Sequence, residues 1–405
     1  MRAALDGVVV LEWSTGVAGP DAGQLLGGLG AEVIKVEEKG RGDPFRAIKK
    51  VGGLIPVAGP GGRNLFFEPF NCNKKSLAID LKHPAARQVI CRLVEGCDVF
   101  LTNFRRGAAA RLGLDYPELR KHNPRLVYAR VSGFGAQGPD ADSPAYDLAG
   151  QARSGAMTAM RHAEEVPFAT WGIADEMAAM CAAYGIVTAL LVRERQGVGQ
   201  EVEASLLGGM LHLMRIQLSV KLLTGEEFAP YDRRRVGNPL LNIYRAGDGQ
   251  WLCLAMGSLA DKYWPRLCRA LGLEHLEGDP RFSTMAAREA NREELIALLD
   301  QVFTRRPRDA WVEYLKGWDI IAAGVSTLSE VASDPQTVAN QYVQEYDHPV
   351  LGRIKLVGPP VQFSHSPARV LSPAPEVGQH SAEVLHKLGG YSENEITRLR
   401  ELGVV

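Results

Sequence analysis

The tightest limit on this chain's fold comes from its first 130 residues, where short β-branched runs alternate with helix-period segments. Residues 8–11, 32–36, 76–81, 99–102 and 126–131 read as strands. Helical patterns fall between them at 21–29, 84–95 and 116–121. The strand runs are continuously apolar rather than alternating, as expected of strands covered on both faces. Strand and helix in repeated succession predict a parallel sheet wrapped by helices, an α/β architecture. Beyond it, residues 175–194 predict a long Ala-rich helix, followed by a Gly-punctuated turn and a strand at 201–205. A helix near 207–223 then leads out of the domain.

At 405 residues the chain exceeds what one hydrophobic core ordinarily serves, so two domains are expected. Residues 225–325 have a different texture, with a strand at 251–255 and amphipathic helices at 263–271, 289–303 and 308–315. That segment predicts a smaller α+β domain. The Pro-rich run 358–378 must be extended, because proline removes helical hydrogen bonds. A helix pair at 381–388 and 393–402 ends the sequence.

Charge and cysteine content remove several functions. With 46 basic against 47 acidic residues, nothing electrostatic favours nucleic acid or an anionic membrane surface. The six cysteines form no C-x-x-C pair, so neither a zinc site nor a disulfide framework is expected. Residues 1–16 lack the apolar core of a signal peptide, and no stretch reads as long and apolar enough to span a bilayer. A reducing cytoplasm is the expected setting.

A strand, a glycine-bearing turn, a helix and a strand ending in Glu37–Glu38 invite a dinucleotide reading. The spacing of GVAGPDAG opposes it. Its glycines are Gly16, Gly19 and Gly23, not the G-x-G-x-x-G that brings backbone against a pyrophosphate. The P-loop pattern is also absent, so neither NAD nor a P-loop nucleotide is expected.

Together with segments spread along the rest of the chain, the same turn resembles the class III CoA-transferase family. The matching segments come in order: LDGVVVLEWSTGVAGP, LGAEVIKVE with GRGDPFR, NCNKKSLAIDLK, DVFLTNFRRGAAARLGL, NPRLVYARVSGFGAQGP, SPAYDLAGQARSG, GIADEMAAM with ERQGVGQEVEASL, VGPPVQFSHSP, and the C-terminal GQHSAEVLHKLGGYSENEITRLRELGVV. The resemblance implies a Rossmann-like large domain, residues 1–210 completed by 330–405, and a small α+β domain at 225–325. Segments 211–224 and 326–345 would be linkers, and two chains would interlock as rings in a homodimer. It also implies coenzyme A as substrate, an acyl-CoA donor, a carboxylic acid acceptor, and no metal.

Asp175, in WGIADEMAAM, matches the family's nucleophile. Read alone it is a helix N-cap sooner than a catalyst. The two readings agree in one respect: a helix dipole favours the ionised carboxylate, and only that form attacks a carbonyl. Glu176 is the neighbouring rival and is expected to point elsewhere.

For coenzyme A the resemblance implies backbone contact at Val17 and Ala18. Ile79 and Lys82 would line the adenosine, Asn103 and Phe104 with adjacent Arg105 would touch the cofactor, and Arg111 would lie near the phosphates. Glu38 stands where formyl-CoA-transferring members carry a CoA-binding arginine, so Lys39 or Arg41 would have to supply that charge. Racemases of the family pair the aspartate with a histidine that here is Tyr146, and tyrosine is a poor base at neutral pH. Tyr146 and Asp147 are therefore expected to shape the CoA or acyl pocket, with transfer favoured over racemisation or intramolecular CoA shifting. A silent partner subunit is a third reading, opposed by the retained aspartate. Formyl-CoA transferases of the family carry a glycine-rich loop in the small domain; no glycine run stands between 225 and 325 here, so the resemblance does not extend to oxalate and formate as substrates. Arg215 would pair with a substrate carboxylate or cap a core helix.

Overall fold

A computed structural model describes residues 2–161 and 167–405. The chain forms two compact units: Met1–Met157 with Ala169–Phe228 and Pro335–Val405, and Thr158–Phe168 with Ala229–Asp334.

In the larger unit the alternating pattern becomes β1 (Val9–Trp13), α1 (Ala18–Gly28), β2 (Glu32–Glu38), β3 (Lys74–Ile79), α2 (Ala86–Val94), β4 (Val99–Thr102), α3 (Arg106–Leu112) and β5 (Val127–Ser132). After these come α4 (Asp147–Arg153), α5 (Ile173–Gln196), β6 (Glu201–Ser205), α6 (Leu206–Leu213) and α7 (Arg215–Thr224). The six strands form one sheet in the order β3-β2-β1-β4-β5-β6, with every neighbouring pair parallel. Leu11, Ile34, Leu77, Phe100 and Tyr128 from successive strands build its core with Val89, Ile90 and Leu93 of α2. Helix α1 starts earlier than the apolar pattern indicates, at Ala18, and Pro20 sits in its first turn, where a missing N–H costs nothing.

Two expectations about helices fail. The segment expected as one helix at 207–223 is α6 and α7, bent by 75° at Met214. Helix α5 is, by length and composition, long and apolar enough to cross a bilayer, contrary to the reading that no stretch is. Its inner face packs on α1, α6 and β6 as a core helix does, while Met180, Tyr184, Val187 and Leu191 are exposed.

In the smaller unit β7 (Leu241–Arg245), β8 (Trp251–Ala255) and β9 (Ala322–Gly324) form an antiparallel sheet. Helices α8 (Ala260–Leu271), α9 (Arg292–Phe303) and α10 (Arg308–Gly317) cover it through Trp264, Phe303 and Trp311.

The C-terminal segment returns to the large unit. A hairpin of β10 (Val343–His348) and β11 (Gly352–Val357), unseen in the sequence, is followed by the extended Pro-rich run. Helices α11 (Ser381–Lys387) and α12 (Glu393–Glu401) then place Val384, Leu385 and Ile396 in the sheet's core. This segment runs along the open edge of β3, where His380 N–H donates to the Ser76 carbonyl and Asp80 N–H to that of Val404.

Candidate active site

Because all six strands run the same way, their carboxyl ends share one edge. The strand order reverses direction between β1 and β4, so the loops leaving these two strands diverge. A crevice at that point is where open α/β sheets hold ligands. Here the loops are tied to each other: Thr15 N–H donates to Asn103 Oδ1 (3.0 Å), and Asn103 Nδ2 donates to the Thr15 carbonyl (2.6 Å). Below them the Trp13 and Phe104 rings stack 4.2 Å apart. The crevice is a cavity of about 440 Å³ whose walls include Val17, Ala18, Phe45, Phe104, Arg105, Tyr146 and Asp175.

Asp175 is the third residue of α5, not its N-cap. The cap position is Gly172, at φ +83°, which has no side chain to give. The capping carboxylate comes instead from Asp147 at the start of α4. Asp147 Oδ1 accepts from Ala174 N–H (2.8 Å) and Asp175 N–H (3.3 Å), and Oδ2 from Gly172 N–H (3.0 Å). Gln151, one turn on, donates to Asp147 Oδ2 and to the Thr170 carbonyl, each at 2.6 Å.

These carboxylates reverse one expectation. The helix dipole alone would hold Asp175 ionised at low pH. Burial first, then the Asp147 and Glu176 carboxylates, instead push it up to about 7. Glu176 does point elsewhere, toward Asp21 of α1. Burial raises Asp21 well above the usual carboxylate range, and Glu176 adds to the rise by charge and by a hydrogen bond. Burial raises Glu176 too, despite that bond.

Behind the cavity a buried ionic array fixes its loops. Lys35 Nζ, fully buried, meets Glu12 Oε1 (3.1 Å) and Asp43 Oδ2 (2.9 Å) and donates to the Ser14 carbonyl (3.0 Å). Burial alone would lower the Lys35 ammonium, but the Glu12 and Asp43 carboxylates outweigh it and raise it. Asp43 Oδ1 also accepts from Phe45 N–H (2.8 Å). The Phe45 ring lies over Gly16 so closely that a Cβ there would sit 3.4 Å from it. The Ser14–Val17 turn and the Asp43–Phe45 wall therefore hang from one lysine. Lys74 Nζ pairs with Glu12 Oε2 (2.7 Å) and donates to the Pro20 carbonyl (2.6 Å). Its burial lowers it to about 8.

Seven of the twelve residues singled out from sequence line the cavity: Val17, Ala18, Asn103, Phe104, Arg105, Tyr146 and Asp175. Arg105 is exposed, with no carboxylate partner among the described residues. Asp147 corrects the reading that placed it on the pocket wall: it is buried against α5, because the helix start takes both its oxygens. Ile79, at the end of β3, is fully buried in the core and lies outside the cavity. Lys39 and Lys82 are exposed at the carboxyl edge of the sheet, outside the cavity, and Lys82 Nζ lies 3.5 Å from Glu38. Arg111 is exposed on α3, also outside the cavity.

Phe45, Arg130 and Lys35 were missed. Arg130 lines the cavity while its guanidinium donates twice to Glu203 (2.9 and 2.8 Å), its partner across β5 and β6. The signal for Arg130 and Lys35 is a lone basic residue flanked by β-branched or apolar residues within a strand, VYARVS and EVIKVEE. Such a residue, buried, requires a counter-ion.

The geometry defines an α/β enzyme with a carboxylate set into a ligand crevice at the topological switch point. The chain belongs to CoA-transferase family III, whose sequence profile matches residues 5–381. It is 35% identical over 407 residues to a succinyl-CoA–D-citramalate CoA-transferase of Chloroflexus aurantiacus, covering 99% of this chain and 98% of that one. It is 31% identical to a formyl-CoA:oxalate CoA-transferase of Rhodopseudomonas palustris, covering 100% and 97%. Among solved structures, a D175A mutant of Rv3272 from Mycobacterium tuberculosis matches with a TM-score of 0.80 and 31% identity, over 95% of this chain and 99% of that one.

Proposed function

We propose that this protein moves coenzyme A from an acyl-CoA thioester to a free carboxylic acid, with Asp175 as nucleophile. The observation that carries the reading is the placement of Asp175, a partly buried carboxylate on the wall of the switch-point cavity. The ionised carboxylate attacks the thioester carbonyl. The C–S bond breaks, and CoA thiolate leaves a mixed anhydride behind. The thiolate then attacks the Asp175 carbonyl carbon, releasing the donor's carboxylate and forming an aspartyl-CoA thioester. The acceptor carboxylate attacks that thioester, and the thiolate returns to the acceptor's acyl carbon. Each step exchanges one acyl bond for another, so the thioester's energy is conserved.

Arg105, exposed on the cavity wall and without a carboxylate partner among the described residues, suits an anionic group of the ligand. Tyr146, more than four-fifths exposed, stands at the mouth. No histidine lines the cavity among the described residues, which favours acyl transfer over proton abstraction at the α-carbon. The relatives bear names with different acids, so the acid pair is left to a screen of donors and acceptors. A homodimer belongs to the same reading, supported by the exposed apolar face of α5.

The test is isotopic. With an acceptor acid labelled at both carboxylate oxygens with ¹⁸O, the scheme delivers one labelled oxygen to Asp175 per turnover, read as a two-dalton gain in its peptide. Label on another residue, or full activity in Asp175→Ala, overturns the assignment.

A further inference from the structure

We infer that Asp147 is a positioning residue for the reaction: it fixes the turn that carries Asp175 and sets the charge that Asp175 feels, without touching substrate. The inference rests on Asp175 being the nucleophile.

The first N–H groups of any helix lack partners inside it and must find them elsewhere. On α5 the local cap is a glycine, so the segment 172–175 would be free to rotate. The Asp147 carboxylate takes the N–H groups of Gly172, Ala174 and Asp175 at once, and both its oxygens are used. Gln151 clamps it from behind while bonding Thr170 through both ends of its amide. The two helices are also in close contact: a Cβ on Gly150 of α4 would lie 3.1 Å from that of Ala174. Tyr146, immediately before Asp147, lines the cavity. One dipeptide thus supplies a wall residue facing the ligand and an anchor facing the nucleophile's helix.

The second half is electrostatic. The charged groups around Asp175 are Asp147 from α4, Glu176 from its own helix, and Asp21 from α1 with Lys74 behind it. Arg105 and Arg130 line the same cavity. After burial, Asp147 has the largest influence on Asp175 and Glu176 the next, both unfavourable to the anion. The anchor that orients the nucleophile therefore also destabilises its charge. This is the opposite of what an arginine or lysine would do there.

Asp147→Asn separates this from a purely structural role. Its amide oxygen still accepts from the α5 N–H groups, but the negative charge is gone. The expected result is an acid limb of kcat/KM displaced to lower pH by about one unit, the size of effect a neighbouring charge has on a carboxylate. The plateau rate falls as well, because one acceptor oxygen has become a donor. A merely structural residue would lower the rate equally at every pH, and an unmoved limb overturns the inference. Should the variant fail to fold, ¹³C titration of the wild-type aspartates, with Asp175→Asn to assign the signal, decides the matter. Asp175 titrating near pH 7 supports the inference, and titration below pH 5 overturns it. Oxygen-18 delivery to Asp175 in the same preparation distinguishes the two failures. Label at Asp175 with an unmoved limb rejects only the role of Asp147, whereas label elsewhere rejects the nucleophile.

Discussion

Replacing Asp175 by asparagine should stabilise the protein above about pH 4, with the full gain reached only above about pH 7. The folded carboxyl titrates at about 7 against an ordinary 3.8. Below the unfolded value both states hold the proton, and the group contributes nothing. Between the two values the unfolded chain loses its proton while the folded one keeps it, so ionisation progressively penalises the fold. Above 7 the penalty is complete. About three pH units at 1.36 kcal/mol each set an upper bound of about 4 kcal/mol. Asp175 still reaches solvent from the cavity, and screening reduces this to an expected 1–3 kcal/mol, roughly. At about 2 °C per kcal/mol for a domain of this size, Asp175→Asn should melt about 2–6 °C above wild type at pH 8. The gain should shrink through pH 6 and vanish near pH 4. Differential scanning fluorimetry of both proteins across that range, at constant ionic strength, measures it. A gain independent of pH, or a loss at pH 8, refutes the account of crowded carboxylates.

Two further outcomes are expected from the array behind the cavity. Lys35→Met strands the Glu12 and Asp43 carboxylates in the core, which should cost about 3–5 kcal/mol. Urea unfolding measures that loss, and Glu12→Gln in the same chain should return part of it. Gly19→Ala puts a Cβ 2.6 Å from Ser14 Cβ and 3.1 Å from Asn103 Cγ, and Ser14 is buried and bonded to Glu12, so it cannot yield. The turn must shift, and KM for acyl-CoA should rise at least about tenfold, since misplacement of about 1 Å in a site can cost about a hundredfold. An unchanged KM would show that the ligand does not use this turn.

The sheet was legible because its evidence is local. Strand β4 has the boundaries that its apolar run predicts, and a parallel strand covered on both faces can hardly be written otherwise, while the edge strand β6, EVEAS, was bounded by the Gly-punctuated turn before it. The bend between α6 and α7 was not legible, since LLGGMLHLMRIQL keeps its apolar character straight through Met214. The β10–β11 hairpin carries Gln344, Asp347, Arg353 and Lys355 among its apolar residues, which blurs the strand signal. At the site, the residues of the β1 and β4 loops could be found because their motifs are contiguous. Asp147 was found as a residue shaping the pocket, not as the acceptor of the first N–H groups of α5. Nothing within SPAYDLAGQ states that a helix starting twenty-six residues later lacks a cap of its own. Pairings such as Lys35 with Asp43 are fixed by topology, and only a buried lysine in need of a partner hints at them.

The crowding of carboxylates around Asp175 has a chemical consequence on the proposed scheme. A free carboxylate there is held against burial and against two neighbouring acids. Once acylated, as anhydride or thioester, it carries no charge and that repulsion is gone. Each covalent intermediate is therefore stabilised relative to free enzyme by whatever the anion was suffering. A surface aspartate would form the same thioester uphill by the full difference between a relaxed carboxylate and an activated acyl group. Destabilising the resting anion narrows this gap and so favours passage in both directions, which a reversible exchange between two acids requires. The same repulsion explains the need for a rigid anchor: an unfixed turn would let Asp175 swing toward water and shed the strain. Asp147 prevents this with three backbone hydrogen bonds while supplying part of the repulsion itself. Asp147→Asn should therefore lower the steady-state fraction of enzyme trapped by hydroxylamine as the Asp175 acyl species. If that fraction rose instead, relief of charge could not be what sustains the intermediate.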